Sequence, residues 1–144
     1  MRRHALILVA LAALFAALAP VAGATHAKGL TVTTRTSSYG TVLFDGQGRA
    51  LYAFTHDTAR RSRCSGACAK AWPVAFTNGT PRAGSGVRAS LLGSIKRGSR
   101  RQVTYGGRPL YSYAGDGAGE VRCQNVTEFG GVWLVVRGDG ALVR

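Results

Sequence analysis

The chain has 144 residues, and its 19 Lys and Arg against 6 Asp and Glu give a formal net charge of +13. That length supports one domain with a small core and excludes a multidomain assembly. The charge favours anionic partners or simply keeps a small surface soluble, and beyond the N-terminus no apolar stretch approaches a membrane span.

The first segment reads as an export signal. Arg2 and Arg3 precede an apolar run from Ala5 to Ala19, Pro20 breaks the run, and Ala22-Gly23-Ala24 supplies small residues for cleavage. As a helix that run spans roughly 22 Å, short of a bilayer core of about 30 Å. Residues 1–24 are therefore expected to be removed, leaving a chain that begins at Thr25 and has no transmembrane helix. A second cut before Lys28 is open. No cysteine lies near the cleavage region to carry a lipid. Residues 25–38 read as an N-terminal linker and 39–144 as one β-rich domain, and the chain after the signal carries a charge of about +11 once Arg2 and Arg3 are gone.

Within that domain a hairpin is expected from Thr41–Phe44, a turn at Asp45-Gly46-Gln47-Gly48, and a return strand from Arg49 to Phe54. The return strand leads into Tyr52-x-Phe54-x-x-Asp57. Cys64 and Cys68 follow, four apart, on a segment expected to be a short helix reaching Trp72. Thr77 to Gly86 is rich in Gly, Thr, Pro and Ser and reads as a surface loop. Ser90 to Lys96 reads as a short helical turn capped by Ser90.

A second hairpin then repeats the first. Arg101–Tyr105 is the strand, Gly106-Gly107 the turn, and Arg108–Tyr113 the return, with Pro109 suggesting an edge or an irregularity. Tyr111-x-Tyr113-x-x-Asp116 falls 59 residues after its counterpart, and Cys123 stands 12 residues after Tyr111 as Cys64 does after Tyr52. Trp72 and Trp133, the chain's two tryptophans, follow at nearly matching distances. Val132–Val136, apolar on both faces, reads as an inner strand, and Ala141–Val143 as a short last one. The expected fold is mainly β: two quasi-equivalent antiparallel hairpin units of about 39–80 and 99–144 sharing one core, with one or two short helices.

The duplicated Tyr-x-(Phe/Trp/Tyr)-x-x-Asp pattern resembles the bacterial secreted-repeat proteins and lipoproteins defined by that motif. Cys64-Ser65-Gly66-Ala67-Cys68-Ala69 with Trp72-Pro73, and Phe129-Gly130-Gly131-Val132-Trp133, resemble the segments that follow the motif in that family. The likeness covers roughly residues 39 to 144. It implies a secreted or envelope-associated protein whose biochemical role is unestablished.

The motif residues Tyr52, Phe54, Asp57, Tyr111, Tyr113 and Asp116 read first as packing and turn-fixing groups: aromatics for the core together with Trp72 and Trp133, and carboxylates that accept backbone N–H bonds at strand exits. Export places the cysteines in an oxidising compartment. A Cys64–Cys68 bond is preferred, with Cys64–Cys123 kept open by the repeat symmetry. The preferred pairing leaves Cys123 as a free thiol or as the bridge of a dimer. Arg60, Arg61 and Arg63, with Lys96, Arg97, Arg100 and Arg101, make two basic clusters. On one face they form a patch for anionic wall polymers or headgroups; scattered, they are solvated surface. Specific nucleic-acid recognition is not expected, because buried aromatics cannot stack on bases. The reading is a non-enzymatic binding or structural module without a cofactor. The alternative is a redox or metal-binding protein using His56 and Cys123, weakened by the absence of paired metal-ligand spacing.

Overall fold

A computed structural model describes residues 28–144; the expected export signal at 1–24 and the first linker residues lie outside them. The elements in chain order are β1 (Thr31–Ser37), β2 (Gly40–Asp45), β3 (Tyr52–Phe54), α1 (Ala67–Ala71), β4 (Phe76–Thr77), β5 (Arg82–Ala83), a 3-10 turn at Ala89–Leu91, β6 (Leu92–Arg97), β7 (Arg100–Tyr105), β8 (Arg108–Tyr111), β9 (Val126–Glu128) and β10 (Gly131–Val135). The larger sheet runs β4-β7-β8-β3-β10-β9, with β6 on β7, and a smaller one runs β2-β1-β5. The protein is mainly β with two repeated units, as its sequence implies.

The two units are threaded through each other. β3 and β8, the motif strands, lie side by side with Tyr52 opposite Tyr111. The last strand of the second unit, β10, pairs with β3 of the first and sets Trp133 opposite Phe54. The first unit returns the exchange. Val74 bridges to Tyr111, Ser112 donates its N–H to Pro73 O, and Ala114 donates to Ala71 O. Each unit therefore completes the other's sheet, in keeping with the little surface that a unit of roughly 45 residues can bury alone.

Side-chain alternation divides the shared core into two layers. One holds Phe44, Tyr52, Phe54, Trp72, Tyr111 and Trp133. The other holds Leu43, Leu51, Ala53, Val103, Tyr105 and Leu110. Leu51 and Leu110 thus face away from the motif aromatics, as period-two alternation requires.

Several local expectations are corrected. Residues 31–37, assigned to the linker, form β1, which pairs with β2 over six positions from Val32–Asp45 to Ser37–Gly40. Ser90–Lys96 is not a helical turn. The 3-10 turn ends at Leu91, Ser90 is not its cap, and Leu92–Arg97 is a strand held against β7. Leu91, Leu92 and Ile95 imitate a helical spacing, but six consecutive pairings to β7 outweigh so weak a local preference. Pro109 lies in a central strand rather than at an edge; the β3–β8 ladder begins at Leu110, so its missing N–H falls where the ladder has stopped. The expected last strand at Ala141–Val143 reduces to a bridge between Val136 and Leu142.

Candidate functional site

The motif residues form a reciprocal lock between the repeats. The Tyr52 hydroxyl donates to Asp116 Oδ2 at 2.7 Å, and the Tyr111 hydroxyl donates to Asp57 Oδ2 at 2.7 Å. The other oxygen of each carboxylate accepts a backbone N–H six residues on, Arg63 for Asp57 at 2.7 Å and Arg122 for Asp116 at 3.0 Å. Each aspartate thus fixes its own exit turn and also ties the opposite repeat. Burial holds the Asp57 carboxyl above its ordinary range, against the lowering effect of the Arg63 N–H and Tyr111 bonds. Burial, reinforced by the bond to Asp57, pushes Tyr111 up to about 12. Burial and the Asp116 bond raise Tyr52 further still. Both phenols therefore remain protonated donors at neutral pH.

Around this lock the aromatic rings stack in order. Phe54 lies on Trp133 at 4.1 Å between centroids, Trp133 on Trp72 at 4.0 Å, and Trp72 meets Tyr113 at 4.8 Å. Tyr52 meets Trp72 edge-on, and Tyr111 meets Trp133 edge-on. Trp72 donates its indole N–H to Glu128 Oε2 at 3.0 Å, whereas the buried Trp133 Nε1 finds no partner among the described residues. All of these rings but Tyr113 are buried; Tyr113 is half-buried at the rim.

The two basic clusters meet only in part. Arg60, Arg61, Arg63, Lys96 and Arg97 line one open cleft of about 310 Å³. The other two expected cations turn elsewhere. The Arg100 guanidinium lies 3.6 Å from the centroid of the Phe76 ring, and Arg101 donates to Ser94 Oγ and Ser94 O. A separate hollow of about 340 Å³ lined in part by Phe54 and Asp57 carries only Arg108 and Arg144 as cations.

A family described as a secreted repeat of unknown function matches residues 33–76 and 96–137, one match on each unit. The chain belongs to this secreted-repeat family. No curated protein and no solved structure matches the chain. The family's description as secreted supports an extracytoplasmic place for this chain.

In this secreted-repeat protein Cys64 is bonded to Cys68, and Cys123 is free and half-buried. The bond joins the segment after Arg63 to α1, which leads directly into Trp72. Cys123 packs against the aromatic layer, and its nearness to Tyr113 raises that phenol above its ordinary value. The His56 ring lies against Phe54 at 5.7 Å. No three His, Cys, Asp or Glu side chains converge as a ligand set among the described residues. Nor is any helix among those residues long and apolar enough to cross a membrane.

Three participants were not singled out from sequence. Ser62 and Gln102 both bond Arg97 in the cleft wall, and Glu128 caps Trp72. The only sequence signal for the first pair is negative. Counting from the motif aspartates, Val121 stands in the second repeat where Ser62 stands in the first.

Proposed function

We propose that this protein is a secreted or envelope-associated, non-enzymatic binding module, exported by its first 24 residues, whose basic cleft takes anionic polymers. The observation that carries this reading is the convergence of Arg60, Arg61, Arg63, Lys96 and Arg97 on one cleft. A focused set of like charges raises the local concentration of a counter-charged ligand and speeds its arrival.

The backbone adds support. Arg60 takes the left-handed conformation, φ 62°, and donates its N–H to Gly107 O. In the other repeat the same bond runs from Gly119, φ 78°, to Gly48 O. Glycine adopts this conformation freely; an arginine pays about 1 kcal/mol for it. A strained arginine at the cleft, where a glycine serves the mirror position, marks a side chain kept for its charge.

The test is retention on isolated cell-wall material. The protein should bind at low salt and elute as salt rises, because exposed charges are screened. Arg61→Glu with Arg63→Glu should abolish retention, while Lys70→Glu with Arg137→Glu, an equal charge change on exposed residues outside the cleft, should weaken it only slightly. No binding at low salt, or equal losses from the two pairs, would overturn the reading.

A further inference from the structure

The mirror lock of the two repeats is broken at one place, and the break leads into the cleft. A phenol has one proton, and Tyr111 gives it to Asp57. Its oxygen must then accept from Ser62, whose Oγ lies 2.6 Å away. Ser62 Oγ in turn accepts from Arg97 Nη1 and from the Cys64 N–H. Arg97 Nη1 also donates to Gln102 Oε1 at 2.9 Å, and Nη2 donates to Cys64 O. Gln102 is fully buried and is itself fixed by donating to Leu110 O at 2.9 Å.

The mirror pair, Asp116–Tyr52, has none of this. Val121 replaces Ser62. Counting from the matching hairpin ends Ser37–Gly40 and Arg97–Arg100, Ser37 replaces Arg97 and Val42 replaces Gln102. At the Asp116–Tyr52 pair no side-chain chain of this kind leads on among the described residues. The same kind of buried pair is a structural lock at Asp116–Tyr52 and the root of a hydrogen-bond chain at Asp57–Tyr111.

We infer that the Asp57–Tyr111–Ser62 chain holds Arg97 as the fixed anchor of the basic cleft, and that the group it anchors is the phosphate of a phosphate-bearing polymer. This rests on the anionic-ligand reading above. A guanidinium has five N–H donors; three of Arg97's are committed to Ser62, Gln102 and Cys64, which leaves two for a ligand. Those two are oriented before any ligand arrives, so less rotamer entropy is lost on binding than for a free arginine. Guanidinium groups pair with phosphate bidentately. A phosphate offers oxygen lone pairs out of a single plane, and so can take Arg97 and flanking cations from several directions. A planar carboxylate answers chiefly one of them.

No aromatic side chain lines the cleft, so it has no platform for nucleic-acid bases. The large exposed apolar residues among those described are Tyr39 and Phe129, and neither lines the cleft, so nothing beside it would enter a bilayer. A linear sugar– or alditol–phosphate chain fits these features better than nucleic acid or a membrane surface.

The test measures binding of the full exported chain to poly(glycerol phosphate), to polyglutamate of matched charge, and to phosphatidylglycerol vesicles. Poly(glycerol phosphate) should bind most tightly. Ser62→Ala and Arg97→Lys should each weaken it about tenfold, the loss of roughly one charge-assisted hydrogen bond, and should leave polyglutamate binding nearly unchanged. Tyr52→Phe breaks the mirror lock and should leave phosphate-polymer binding at the wild-type level, with thermal unfolding confirming that each variant is folded. Equal binding of the two polymers, tighter binding to vesicles, or equal losses from Ser62→Ala and Tyr52→Phe would overturn the anchor while leaving the anionic-ligand reading intact. Failure to bind any of the three probes would overturn both.

Discussion

In the second repeat Asp116 accepts from Tyr52 and from the Arg122 amide, and no side-chain hydrogen bond among the described residues carries the network on to the surface. In the first, Asp57 accepts the same two kinds of bond, yet its tyrosine continues to Ser62, Arg97 and Gln102 and so reaches the protein surface. The duplicated motif supplies a lock, and the differences between copies decide whether the lock is also connected to something. What the motif's persistence in both units explains is assembly. What its surroundings in one unit explain is a candidate site. A purely structural account of the motif fits the Asp116–Tyr52 pair fully and leaves the arginine-lined wall beside Asp57–Tyr111, built from both repeats, unaccounted for.

The sharpest break in this near-symmetry is expected at the two tryptophans, which stack on each other at the centre. Trp72→Ala and Trp133→Ala should each cost about 3–5 kcal/mol, because both rings are fully buried and their cavities lie in a layer shared by both repeats. The pair separates on conversion to Phe. Trp72→Phe also loses the bond to Glu128, about 1 kcal/mol, whereas Trp133→Phe loses no hydrogen bond found here and removes a buried donor without a partner. Urea unfolding of the four variants measures both. An equal cost for the two Phe variants would show that the Glu128 bond contributes nothing.

The two aspartates should part in opposite ways. Asp116→Ala strands the buried Tyr52 hydroxyl and should cost about 2–3 kcal/mol. In Asp57→Ala the Tyr111 proton can turn to Ser62 Oγ, already 2.6 Å away, so the loss of stability should be smaller. The cost there falls on function instead: with its chain reorganised, Arg97 is held less firmly and the phosphate polymer is bound more weakly. Unfolding and binding measured on the same two proteins give a crossed pattern. Parallel losses in both assays would mean that the repeats are energetically alike and the connection to Ser62 is idle.

Much of this organisation is legible before any fold is known. The 59-residue echo, the second hairpin, and the burial of Tyr52, Phe54 and the tryptophans follow from local pattern. The pairing of Cys64 with Cys68 is only the preferred of two from sequence, and the expected first hairpin reduces to a bridge between Phe44 and Ala50 because β2 pairs with β1 instead. The exchange of bonds between repeats is not legible, because the motif spacing is equally satisfied by Tyr–Asp pairs within a repeat; it is the placing of β8 beside β3, with Tyr52 opposite Tyr111, that brings each hydroxyl to the other repeat's aspartate. β1 escapes notice because Val32 is its one buried side chain, so it carries almost no hydrophobic alternation. The Arg97 wall escapes for a different reason. Ser62, Arg97 and Gln102 are ordinary polar residues up to 40 positions apart, and nothing in their sequence neighbourhoods announces that Gln102 is buried.

The cysteines give the last and smallest contrasts. Opening Cys64–Cys68 by a double substitution to Ala should cost about 2 kcal/mol, the chain-entropy value for so short a loop, and the second repeat, with no such bond, has nothing equivalent to lose. Cys123→Ser should change stability by well under 1 kcal/mol, since the thiol is half-buried and outside the fully buried set. Its accessibility is the more informative quantity. Packed against the aromatic layer beside Tyr113, it should be alkylated slowly in the folded protein and quickly after unfolding, with one thiol modified per chain. Non-reducing electrophoresis should then show a monomer. A disulfide-linked dimer in that gel would mean that Cys123 reaches a second copy despite its packing. The second repeat would then hold an interchain contact that breaks the symmetry at the surface, as Ser62 breaks it inside.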